Sequence, residues 1–219
     1  MINKGIALAV LLLLPVISYA AVSPEMKSWG DGPARFWMTE QEQKEWRAIT
    51  NDEDAQKFID LFWAKRDPDL DKPGNPFRAR FEALVKYADA NVPEPATRGS
   101  LSDRGKFLIL FGPPSRVINT GVAATATSVA RPPTTGNEQR DFRELPTQTW
   151  TYEKAQLPSV TTRKFQLIFV DQYSGGRYQF DRRSTTTNMD PLIKKLVEQA
   201  IVHPDLKVAP AEAAEQTSQ

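Results

Sequence analysis

The sequence predicts an α+β domain, with N-terminal helices packed on an antiparallel β-sheet and closed by a C-terminal helix. Three observations carry this reading. Two hydroxyl-x-x-Glu patterns, Thr39 to Glu42 and Thr50 to Glu53, signpost helix starts in the first half of the chain. The uninterrupted apolar run Phe107–Phe111 is stopped by Gly112-Pro113-Pro114 and reads as a central strand covered on both faces. Beyond it, Thr149–Tyr152, Lys164–Val170 and Arg177–Phe180 carry strand character, and Ser174-Gly175-Gly176 supplies a hairpin turn between the last two.

Met1–Ala20 reads as an export signal. Lys4 is the charged head, Ile6–Ile17 the apolar run, and Ser18-Tyr19-Ala20 offers small residues for cleavage after Ala20. The uncharged span Gly5–Val22 lies near the lower limit for crossing a bilayer, so an uncleaved anchor is the alternative. Residues 21–35 hold Pro and Gly with few paired apolar positions, and are expected to run extended. The domain proper is placed at 36–203, and 204–219 as a disordered tail.

Within the domain, Ala55, Phe58, Ile59, Phe62 and Trp63 recur at helical spacing, on a helix that must stop near Arg66-Asp67-Pro68. Asn75 caps a third helix with Pro76 in its first turn, and Phe77, Phe81, Leu84, Val85 and Ala88 form its buried stripe. Upstream of the apolar run, Ser102, Asp103 and Gly105 read as a tight turn that displays Asp103 and Arg104. Arg116–Asn119 returns briefly as an extended segment. Residues 120–147, rich in Ala, Thr, Pro and Gly, read as a disordered loop. Trp150 and Tyr152 fall on one sheet face, and Asn188 or Asp190 caps a last helix opened by Pro191, with Leu192, Leu196, Val197 and Ala200 on one side.

Composition excludes several classes of function. Among 219 residues there is no Cys and one His, so disulfides, thiolate catalysis, Cys-ligated zinc and multi-histidine metal sites are out. Loss of Lys4 with the leader leaves 27 basic against 27 acidic residues, and with no local basic patch there is no nucleic-acid footprint. A disulfide-free exported domain of this size fits a bacterial periplasm. No cofactor is expected.

Candidate chemistry is thin. Asp67, Asp69 and Asp71 have the spacing of a calcium loop, but Lys72 stands where Gly is needed and Arg78 where a bidentate Glu belongs. No GxSxG occurs, and His203 lies near a chain end. Asp67 and Asp103 form the carboxylate pair on which glycoside chemistry would turn. Alternatively, Arg66, Asp67, Asp103 and Arg104 make two ion pairs pinning the helical layer to the start of the central strand. Trp29, Trp150 and Tyr173 either stack on sugars or fill the core.

The ordered motifs Phe62-Trp63-x-x-Arg66-Asp67-Pro68, Asn75, Gly99-x-x-x-Asp103-Arg104-Gly105, Gly112-Pro113 and Trp150-x-Tyr152 resemble the GWxTD-domain family of exported bacterial proteins, over roughly Phe36–Phe180. The signature Trp of that family is Ser100 here and its Thr is Ser102, which keeps the hydroxyl. The resemblance implies export and the domain limits, and contributes no reaction. The residues it singles out are Arg66, Asp67, Gly99, Asp103, Arg104, Gly105, Gly112 and Pro113. The expected function is a non-catalytic periplasmic interaction module whose partner is an envelope protein or small ligand, with membrane contact only through an uncleaved leader. The alternative is an envelope enzyme acting on a small ligand or glycan with carboxylate chemistry.

Overall fold

The computed structural model describes residues 21–121, 145–153, 164–185 and 187–207. The leader, most of the 120–147 loop and the tail beyond 207 lie outside them. The fold is α+β: six helices and a four-stranded antiparallel sheet among the described residues.

The chain opens with α1 (Pro24–Asp31) and a 3-10 turn (Pro33–Trp37), where the composition predicts extended chain. Local signals for α1 are limited to Ser23, whose Oγ accepts from Met26 N, and Pro24 in the first turn. Tertiary packing supplies the rest, because Trp29 inserts edge-on among Phe58, Phe62 and Trp63 and lies 5.3 Å from Trp46. A Cβ at Gly30 would overlap the Trp46 indole, so close approach requires glycine there.

Next come α2 (Glu40–Ala48) and α3 (Asp52–Ala64). In α2 both halves of the predicted capping box are present: Thr39 Oγ1 accepts from Glu42 N, and Glu42 Oε2 accepts from Thr39 N. The cap of α3 falls one residue later than predicted, on Asn51 and not Thr50, with Asn51 Oδ1 accepting from Asp54 N at 2.8 Å. Ala55, Phe58, Ile59, Phe62 and Trp63 are buried as their spacing requires. Asn75 caps α4 (Pro76–Asn91), in which Ala88 is buried and Phe77, Phe81, Leu84 and Val85 are half-buried against the core.

The Phe107–Phe111 run is a helix and not a strand. Ser102 Oγ accepts from Gly105 N at 3.0 Å, Asp103 occupies the positive first turn, and α5 (Asp103–Phe111) runs until Gly112, at φ +81°, ends it. Seven of its nine residues are buried, all but Asp103 and Lys106, so α5 is covered over most of its circumference. One side meets α4 and the first 3-10 turn. On the other, Phe107 contacts Phe169 and Phe180, and Phe111 contacts Tyr152 and Phe165. From Phe107 to Phe111 a helix sandwiched between two layers shows no polar position, and such a continuous apolar run is indistinguishable by periodicity from a buried strand.

The sheet is therefore a meander without Phe107–Phe111: β1 (Arg116–Thr120), β2 (Thr147–Tyr152), β3 (Phe165–Val170) and β4 (Gln179–Phe180), in that spatial order. The register Trp150↔Leu167, Tyr152↔Phe165 and Gln148↔Phe169 turns Trp150, Tyr152, Phe165, Leu167 and Phe169 inward. Helix α6 (Met189–Gln199), capped by Asn188, buries Met189, Leu196 and Val197. The segment after it closes back on α3, where Val202 N and His203 N both donate to Lys65 O.

Candidate functional site

The residues singled out by the sequence divide into three places. Arg66 lies in the helical layer and pairs with neither Asp67 nor Asp103. Its guanidinium grips Glu42 in two-pronged fashion, at 2.8 and 2.7 Å, and donates to Phe62 O and Trp37 O. It also lies 3.8 Å over the Phe62 ring. Burial alone would push the Glu42 carboxyl up, but the Arg66 bonds and charge, with the Thr39 amide, carry it below the ordinary carboxylate range. Asp67 Oδ1 accepts from Asp69 N, and Asp69 Oδ1 from Asp71 N, so the would-be calcium loop is a run of Asx turns.

The second place is the start of α5. Gly99 and Gly105 are needed for space: a Cβ on Gly99 would overlap the Ala88 carbonyl of α4, and one on Gly105 the Gly99 carbonyl. Ser100 is fully buried, and its N donates to Asp89 Oδ1, which also binds Arg98 through Oδ2. Among the described residues Asp103 does not pair with an arginine. Its Oδ2 accepts from Phe180 N at 2.8 Å and ties the helix to β4.

Arg104 is buried and points toward the sheet, with its nearest Glu94 oxygen at 3.6 Å, Gln148 Oε1 at 3.3 Å and the Tyr178 ring at 4.3 Å. Glu94 accepts from Tyr178 N. Burial pushes Glu94 above the ordinary carboxylate range because Arg104 at this distance only partly offsets it, and burial pulls Arg104 down. Neither of the two ion pairs expected from the sequence among Arg66, Asp67, Asp103 and Arg104 forms. The real partners, Glu42 and Glu94, are 24 and 10 positions from their arginines, beyond any local motif. Glu42 was legible as a cap residue; nothing in the sequence marks Glu94, Gln148 or Tyr178.

The third place is the end of α5, where Gly112 O accepts from the buried Tyr152 hydroxyl at 3.0 Å and exposed Pro113 begins the turn into β1. Burial raises the Tyr152 phenol and keeps it a neutral donor. Within the fold, Gly99 lets its segment approach α4, Gly105 lets α5 approach the Gly99 backbone, and Asp103 and Arg104 bind helix to sheet. Trp150 is buried, Trp29 half-buried, and Tyr173 stands 87% exposed on the β3–β4 turn.

Two further features are open to a ligand or partner. One is the β1 edge. All five of its residues are exposed, including Val117 and Ile118, and among the described residues β2 is its sole strand neighbour. The opposite edge differs, since β4 has two residues and Asp103 occupies the Phe180 amide. The other is a cleft of about 670 Å³ between the 3-10 turn with α2 on one side and α6 on the other, lined also by Lys106. No group of residues suited to hold a metal occurs among those described. No family model, curated protein or solved structure matches the chain.

Proposed function

We propose that the chain is a non-catalytic interaction module of the bacterial periplasm, of the GWxTD type, which engages an envelope protein by adding a partner strand to β1. The observation that carries this is the contrast between the two sheet edges. An edge with unpaired backbone groups and exposed apolar residues is a template for another strand. β4 is short and tied by Asp103, whereas β1 is longer and carries exposed Val117 and Ile118. Carboxylate catalysis has weaker support, because Asp67 and Asp103 each accept a backbone amide within the fold.

The test is a photo-crosslinking residue at Ile118 in cells, with the chain then recovered from the periplasm. A defined envelope protein should crosslink, and Val117→Lys added to the chain that carries the crosslinker at Ile118 should abolish it without changing the melting temperature, because edge charges block strand addition. The recovered mass should begin at Ala21. Equal crosslinking in the Val117→Lys chain, or crosslinks to no envelope protein, overturns strand addition, and a mass retaining Met1–Ala20 replaces export to the periplasm by anchoring.

A further inference from the structure

The cleft over Lys106 calls for a different occupant. Apolar side chains line part of it, Phe36 and Met38 from the first 3-10 turn and its end, Trp46 from α2, and Ile193 and Val197 from α6, among charged ones that include Arg35, Arg47 and Lys194 with Asp31, Glu40 and Glu198. Its volume of about 670 Å³ suits a small molecule, and an adjoining recess of about 100 Å³ shares Lys106, Asp190 and Ile193 with it. Lys106 is half-buried and, among the described residues, has no hydrogen bond or ion pair. The carboxylates beside it are engaged elsewhere, Asp190 by Arg182 at 3.0 Å and Asp103 by Phe180 N.

We propose that this cleft binds a single-chain amphiphile with a carboxylate head, the head paired with the Lys106 ammonium and the chain laid along Phe36, Trp46, Ile193 and Val197. A half-buried ammonium with no hydrogen bond or ion pair, set 5.8 Å from the Phe107 ring centroid, favours an anion, and the apolar part of the lining favours a hydrocarbon stem. The head carries one charge and not two, because Asp103 and Asp190 lie beside the same ammonium, and Asp31, Glu40 and Glu198 balance Arg35, Arg47 and Lys194 around the cleft. Burial, with Arg182 and Arg35 nearby, lowers the Lys106 pKa despite those two carboxylates, which is the state an incoming monoanion relieves. No lining residue belongs to β1, so this site is independent of strand addition.

Decanoate is the probe, titrated calorimetrically into the mature chain, with decyltrimethylammonium and inorganic phosphate as contrasting arms. Decanoate should bind saturably and shift the Trp46 indole NMR signal, while the other two should not. Lys106→Met should weaken decanoate by about tenfold or more, the loss of one charge-assisted hydrogen bond, and Lys106→Arg should retain it. Ile193→Trp, which fills the cleft and leaves Lys106 in place, should weaken it as well. The proposal is overturned if the wild type does not bind decanoate, if the cation binds equally, if phosphate alone binds, or if folded Lys106→Met binds unchanged. Should Lys106→Met fail to fold, unperturbed Trp46 and cleft signals in the wild type overturn it equally.

Discussion

Arg66–Glu42 and Arg104–Glu94 are two versions of one buried pair, with all four side chains at most 7% exposed. Their geometry separates them. Arg66 makes four hydrogen bonds at 2.7–3.0 Å, two to Glu42 and two to backbone carbonyls, whereas Arg104 stands 3.6 Å from Glu94 and makes one long bond to Gln148. Each leaves its Nε without a partner. Removing two charges from water costs several kcal/mol per ion, and only close, fully satisfied contacts offset that. The opposite directions of the two carboxyls, Glu42 down and Glu94 up, express the same difference. The first pair lies within one layer, held by a helix cap. The second joins a loop, α5, β2 and the segment before β4, and no single element sets its distances.

The largest expected effect is on the first pair. Arg66→Met should cost about 3–5 kcal/mol in urea unfolding, because Glu42 is left buried and two carbonyls lose donors. A double-mutant cycle with Glu42→Gln should return a coupling of about 2 kcal/mol or more, and the cycle of Arg104→Met with Glu94→Gln less than about 1 kcal/mol. Equal couplings would break the comparison.

Next is acid behaviour. Glu42 has a folded pKa below its unfolded value near 4.3, so its contribution is present above that pH and is lost as pH falls through the folded value. Glu94 is raised, so its contribution is fully present below the unfolded value and is lost as pH rises through the folded one. Carboxyl NMR titration should place the two midpoints on opposite sides of the ordinary glutamate value. Midpoints on the same side would show the long Arg104 contact to be as strong as the short one.

The smallest effect falls on Asp103, which ties the same helix to β4 by one exposed hydrogen bond. Asp103→Ala should cost about 1 kcal/mol or less, and Asp103→Asn less still, since an acceptor oxygen is kept. A larger loss in urea unfolding would mean that helix and sheet depend on this bond more than on the Arg104 cluster.

What the sequence determined by itself was local. The capping box of α2, the Asn75-Pro76 start of α4, the apolar face of α3 and the alternation in β2 rest on contacts within a few residues, and the structure has them. Tertiary structure decided whatever depended on a distant neighbour. Phe107–Phe111 is helical because α4 and the sheet bury it from opposite sides, a condition an apolar run cannot announce. α1 forms because Trp29 finds aromatic partners up to 34 positions away. The same holds for the candidate site: Arg66 and Arg104 could be picked out as charged residues in motifs, but Glu42 and Glu94 become their partners only when chain folding brings them together. Lys106 gave no sign of its role, since the walls of its cleft come from segments about 60 positions before it and about 90 after. Short-range hydrogen-bonding and side-chain periodicity are written along the chain, whereas burial and electrostatic environment are properties of packed surfaces.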